Sequence, residues 1–142
     1  MNEREHRSMA YPRVGCGAWI QDSDSRVLLV KRLREPEAAH WGIPGGKLDL
    51  FETLEACTTR EILEELGVSI AIDRLLCVVD QIDEDNGQHW VAPVFLAKIK
   101  SGSPTIMEPE ALSQWAWFDV SALPEPLTAA TRRSLMLVLK LN

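Results

Sequence analysis

The stretch GGKLDLFETLEACTTREILEELGV, residues 45–68, joins two adjacent glycines to a run crowded with carboxylates. From Thr53 to Leu66 it is rich in helix formers and free of proline, and Gly67 supplies a stop. At roughly 100° per residue, Glu61, Glu64 and Glu65 fall within one arc of that helix, while Ala56, Ile62, Leu63 and Leu66 fall on another. The spacing predicts one face buried against a sheet and one that concentrates negative charge.

That charge needs a reason. Like charges three and four residues apart repel by a few tenths of a kcal/mol per pair on an exposed helix, so the arrangement costs stability unless something positive sits there. Arg60 is a single charge against several. A divalent cation fits better, since Mg²⁺ takes oxygen ligands, accepts one or two carboxylates plus waters, and commonly bridges to substrate phosphates. For the glutamates alone, a merely solvated acidic face is the alternative. The lead-in Pro44, Gly45 and Gly46 favours a site, because backbone without a Cβ can approach a ligand or metal closely.

Outward from this segment the chain alternates strand-like and turn-like runs. VGCGAWI (14–20) and RVLLVKR (26–32) flank the turn residues QDSDS and together suggest a hairpin. The second run has enough Val and Leu to be buried on both faces. LREPEAAHWGIPGG (33–46) is too rich in Pro, Gly and charge to be regular. VSIAIDRLLCVVDQID (68–83) and HWVAPVFLAKI (89–99) read as strands separated by the acidic turn EDNGQ, and QWAWFDV (114–120) reads as another. In the closing segment Thr128 is a candidate N-cap, with apolar residues at helical spacing beyond it. Strands, a central helix, more strands and a terminal helix predict an α+β or α/β layered fold, with helices packed against a mixed sheet.

At 142 residues and 46% hydrophobic, the chain has the size of one ordinary domain with its own core. Residues 1–10 read as a flexible polar tail and 11–142 as that domain. The net charge of −6 argues against a broad surface for long nucleic acid, although a small anionic ligand held through a metal remains open. Cys16, Cys57 and Cys77 fit neither a disulfide framework nor a zinc pattern, which suggests a reduced compartment. The N-terminal residues carry no apolar signal core and no apolar run is long enough to span a bilayer, so the expectation is a soluble cytoplasmic protein with no membrane partner.

Read as spacings, the opening stretch is Gly46, five residues, Glu52, seven residues, Arg60-Glu61-Ile62, one residue, Glu64-Glu65, one residue, Gly67-Val68. It resembles the Nudix box, Gly-x5-Glu-x7-Arg-Glu-U-x-Glu-Glu-x-Gly-U with U aliphatic, at every specified position. VLLVKR, WGIPGG and WAWFDVSALP extend the resemblance, as pattern, over residues 13–139. The resemblance implies the Nudix sandwich: an α+β fold of the α/β/α type, with a mixed sheet between helices and the box as a loop-helix-loop.

Nudix hydrolases cleave a nucleoside diphosphate linked to a further moiety, by water attack at phosphorus with Mg²⁺ or Mn²⁺ present. By that likeness Glu61, Glu64 and Glu65 would bind metal, Glu65 most directly, and the carbonyl of Gly45 or Gly46 would be a further ligand. Arg60 would orient and partly neutralise the glutamates. Glu52 would anchor the loop to the helix, and Glu64 or Glu61 would serve as general base.

Arg32 lies where related triphosphatases often place a phosphate-binding arginine, though it could equally be a solvent-facing strand end. Lys47, beside Gly45 and Gly46, is similarly ambiguous as a substrate-binding group. Trp41, His89 and Trp90 could stack on a base or pack in the core. Glu108 or Glu110 could add a metal ligand.

Some family subgroups carry a proline or a tyrosine after the box; VVDQIDEDNG (78–87) has neither. The short chain instead resembles MutT-like enzymes that convert a nucleoside triphosphate, deoxy or modified ones included, to the monophosphate and pyrophosphate. ADP-ribose or a nucleotide sugar is the alternative substrate, and a non-catalytic Nudix-fold nucleotide sensor is the alternative of another class. The apolar helix SLMLVLKL could cover its own sheet or a partner subunit, so monomer and homodimer both stay open.

Overall fold

The computed structural model describes residues 9–141. Its elements are β1 (Arg13–Ile20), β2 (Val27–Arg32), β3 (Trp41–Gly42), β4 (Gly45–Lys47), α1 (Leu54–Leu66), β5 (Ser69–Asp83), β6 (Gln88–Ser101), β7 (Leu112–Phe118) and α2 (Ala129–Lys140). One sheet runs β4-β1-β6-β5 and the other β3-β2-β7. The first is mixed, with β1 parallel to β6 and antiparallel to β4.

The hairpin expected from β1 and β2 does not form. β1 has β4 on one edge and β6 on the other, so neither edge is left for β2. Between them the Asp22 carboxylate gathers the amides of Asp24 and Arg26, each at 2.9 Å, and an isolated Gln21–Val27 bridge marks where the strands part into separate sheets.

Val27–Val30 of β2 is buried on both faces, as its apolar run implies, and so is the second half of β1. Ala18 and Ile20 join Leu28, Val30, Ile62 and Leu66 in a core under α1. Trp19 joins Val27, Leu29, Val94 and Val138 in a second core under α2. Strand alternation therefore splits each strand between two cores, and the sheets lie between the helices.

Residues 33–46 are more regular than their composition suggests, because Trp41–Gly42 pairs with β2 and Gly45–Gly46 zips onto β1. The long hairpin β5–β6 closes at Asp83↔Gln88, with Gly87 at φ 64°.

Helix α1 begins where Thr53 accepts the Ala56 amide at 3.1 Å and ends at Gly67 in the left-handed conformation, φ 69°. Its buried residues are Cys57, Thr58, Ile62, Glu65 and Leu66. The arcs expected from periodicity are thus rotated: Ala56 and Leu63 face solvent and Glu65 faces inward. The reason is that α1 packs against the glycine strand β4 as well as the core, so its buried stripe includes a row that an apolar pattern does not mark. Thr128 caps α2 as expected, and Thr131 accepts the Ile43 amide at 2.9 Å, pinning the lead-in to the glycines.

Of the N-terminal tail, residues 1–8 lie outside the described residues. Met9 donates its amide to the Gly87 carbonyl at 2.9 Å. No helix among the described residues is long and apolar enough to cross a membrane. Helix α2 covers its own sheet with Val138, leaving Met136, Leu139 and Leu141 about half exposed.

Candidate active site

Two rows of α1 divide the work of packing. Thr58, Ile62 and Leu66, four residues apart, enter the core, and Cys57, Glu61 and Glu65 lie along β4. Gly46 sits so close to this row that a Cβ there would overlap the Glu61 carboxylate, and a Cβ on Gly45 would overlap the Cys16 carbonyl. Only backbone without a side chain admits both neighbours. The Gly45 amide donates to Glu65 Oε1 at 2.8 Å, and Cys57 Sγ donates to the Gly46 carbonyl at 3.7 Å.

Arg60 is the hub of the acidic group. Its Nε and Nη2 donate to the two oxygens of Glu52 at 2.7 and 2.9 Å, a fork-to-fork pair. Nη1 donates to Glu61 at 2.9 Å and Glu64 at 3.2 Å, while Nη2 also reaches the Lys47 carbonyl at 3.1 Å and Asp49 at 3.3 Å. One guanidinium therefore ties the loop to the helix. Asp49 is a member of this group that the spacing did not single out; its place on Arg60 depends on how the loop folds back.

The carboxylates differ in their electrostatics. Hydrogen bonds from Arg60 hold Glu52 down to about 2. Burial pushes Glu61 up, and burial pushes Glu65 up to about 8 despite the Gly45 amide. Glu108 stands close enough to Glu61 and Glu65 to raise both, so the late acidic segment does reach the site; Glu110 is exposed.

Among the described residues no three acidic, His or Cys side chains converge as a metal ion would require. The geometry explains this: Arg60 draws Glu61 and Glu64 to itself and Glu65 turns to the Gly45 amide. The donor set nevertheless suits a hard cation. Glu61, Glu64, Glu65 and the Gly46 carbonyl offer oxygen alone, and burial raises the pKa of Glu65 more than the Gly45 amide and the charge of Arg32 lower it.

A cleft of about 190 Å³ opens beside Gly45, Gly46 and Lys47. Arg32 lines it, with Nε fixed to the Pro36 carbonyl at 2.9 Å. Gln81 and Trp90 line it from the β5–β6 hairpin. His89 is not among the lining residues, since strand alternation turns it to the face opposite Trp90. Trp41 packs edge-on against Phe118, centroids 5.2 Å apart, and serves the core. Gln81 was legible in principle: a turn at 84–87 sets the hairpin register that brings it opposite Trp90.

A family model of the NUDIX domain matches residues 11–138, and the chain belongs to the NUDIX family of hydrolases. It shares 54% identity with a MutT NUDIX hydrolase from Burkholderia pseudomallei, whose crystal structure aligns with a TM-score of 0.87 over 90% of this chain and 98% of that one. An ADP-ribose pyrophosphatase of Methanocaldococcus jannaschii is 29% identical over 122 residues, 86% of this chain and 70% of the relative. An 8-oxo-dGDP phosphatase of Homo sapiens is 35% identical over 105 residues, 72% of this chain but 31% of that protein's length.

Proposed function

We propose that this chain is a Mg²⁺-dependent pyrophosphohydrolase, with Mn²⁺ as a substitute cofactor. Its substrate is a nucleoside triphosphate, deoxy or base-modified forms included, which water attack at phosphorus converts to the monophosphate and pyrophosphate. The observation that carries this is the placing of the glycine loop, which lines the cleft beside Arg32 and Lys47 and packs at Gly45 and Gly46 against Glu65 and Glu61 of α1.

Glu61, Glu64, Glu65 and the Gly46 carbonyl would hold the cation, which when bound neutralises phosphate oxygens and makes a coordinated water more acidic. The chain's own residues supply the remaining parts. Arg32 and Lys47 bring positive charge to the phosphate chain, the Arg32 fork suiting paired oxygens. Arg60, braced on Glu52, orients Glu61 and Glu64. A carboxylate oxygen of Glu61 or Glu64 accepts the proton of the attacking water. The cysteines at 16, 57 and 77 are free thiols, which suits a cytoplasmic setting.

A second reading keeps the chemistry and changes the leaving group: ADP-ribose or another nucleoside diphosphate derivative. The similarity to the Methanocaldococcus ADP-ribose pyrophosphatase, over 86% of this chain, supports it. The test is product identification with Mg²⁺ across nucleoside triphosphates, 8-oxo-dGDP, ADP-ribose and nucleotide sugars, beside Glu65→Gln. Monophosphate plus pyrophosphate from a triphosphate, lost in Glu65→Gln, supports the first reading; turnover confined to ADP-ribose or a sugar nucleotide supports the second. Binding without turnover of any of them would point to a nucleotide sensor and overturn both.

A further inference from the structure

We propose that Trp90 and Gln81 form the nucleobase site of this chain: Trp90 stacks the base and the Gln81 amide reads its hydrogen-bonding edge. The inference rests on the nucleotide reading above and adds the part of the ligand that the metal and phosphate groups do not address.

The two residues are a directly opposed pair in the antiparallel β5–β6 ladder, so their side chains project from the same face of the sheet. That face is the cleft, which both residues line. Trp90 is held in place: its Nε1 donates to Gln88 Oε1 at 2.9 Å, and its ring packs against Gly15, where an added Cβ would come to 3.3 Å. The polar edge of the indole is thereby satisfied, and what it offers the cleft is aromatic surface. Gln81 is the reverse case. Its amide carries two donor hydrogens and an acceptor oxygen, yet it has no hydrogen-bond partner among the described residues. A fixed π surface beside a free planar donor–acceptor pair matches the two needs of a nucleobase, stacking and edge recognition.

Size and distance agree with this assignment. Sites that enclose a whole drug-sized ligand run to roughly 300–1,000 Å³. At about 190 Å³ the cleft is smaller than that, a volume suited to a ring system rather than to a whole nucleotide. Across the sheet, Gln81 is on β5, Trp90 on β6, Gly15 on β1 and Lys47 on β4. From β6 to β4 is two strand steps, on the order of 10 Å, which the sugar and first phosphate of one nucleotide bridge.

The test measures kcat and KM for the four deoxynucleoside triphosphates with Mg²⁺. In parallel it measures equilibrium binding of the four nucleoside monophosphates without metal, for the wild type, Trp90→Ala, Trp90→Phe, Gln81→Ala and Gln81→Glu. Trp90→Ala should raise KM and weaken monophosphate binding for every base by about fivefold to a hundredfold, a larger effect than on kcat, and Trp90→Phe should recover most of it. Gln81→Ala should compress the ratio between the best and worst base by about tenfold. Gln81→Glu, which accepts but does not donate, should move preference toward a base that presents an amino donor. If the wild type hydrolyses no nucleotide but binds monophosphates in a Trp90- and Gln81-dependent way, the proposed hydrolysis falls and the base site stands. If hydrolysis proceeds with base ratios unchanged in Gln81→Ala and KM unchanged in Trp90→Ala, the base site is overturned and the hydrolysis stands.

Discussion

Gly46 and Glu61 share one volume: a Cβ on Gly46 would overlap both carboxylate oxygens of Glu61. What must yield in Gly46→Ala is the far end of a flexible side chain, so folding should survive within about 1 kcal/mol while the Glu61 carboxylate is forced aside. Gly45→Ala differs, because the overlapped atoms are the Cys16 carbonyl and the Gly17 backbone, which cannot swing away. It should cost about 1–3 kcal/mol as overpacking. Urea unfolding beside kcat/KM separates them: Gly46→Ala is expected to lose activity at near-native stability, Gly45→Ala to lose both. Equal stability losses would show that Glu61 is not free to move.

Arg60 bridges Glu52, Glu61 and Glu64 with a planar fork that lysine cannot reproduce. Arg60→Lys should keep the charge and still lower kcat by about 10–100-fold, the usual effect of disturbing the partners of functional carboxylates. Steady-state kinetics with saturating Mg²⁺ measure this, and wild-type kcat in Arg60→Lys would refute the bracing role.

Burial sets the pH dependence of stability without metal. Glu65 titrates at 4.5 when unfolded and about 8 when folded, so the folded state holds the extra proton between those values. Its contribution is fully present below pH 4.5 and is lost as pH rises toward 8. Glu52 runs the other way, contributing above pH 4.5 and losing that contribution as pH falls toward 2. Urea titrations in EDTA should therefore show stability falling from pH 5 to 8, less steeply in Glu65→Gln. Mg²⁺ should reverse the fall at pH 8 by binding the folded state. A flat profile in EDTA would contradict the effect of burial on the Glu65 carboxylate.

The two leucine-like positions of α1 offer a packing test. Ile62 is fully buried and Leu63 is 53% exposed. Ile62→Ala should cost about 2–5 kcal/mol and Leu63→Ala within about 0.5 kcal/mol, both read from denaturant midpoints. A large cost at Leu63 would show that α1 buries the face that its periodicity alone suggested.

The sequence by itself determined the box from Gly46 to Val68, the helix with its Thr53 and Gly67 ends, the β5–β6 hairpin and the layered α+β class. Those features are local: caps, turn residues and periodicity act over a few positions and leave their mark in the residues themselves. It did not determine that β1 and β2 part into different sheets, that Glu65 turns inward while Leu63 turns out, or that Asp49 joins Arg60. Nor did it decide that Trp90 rather than His89 meets the cleft, opposite Gln81. These depend on which strand takes a neighbour's edge and where a helix row meets a glycine strand, choices made by contacts far apart in the chain. A one-residue change of register or a modest rotation of α1 would reverse them without altering any local pattern, and so only the tertiary structure could decide.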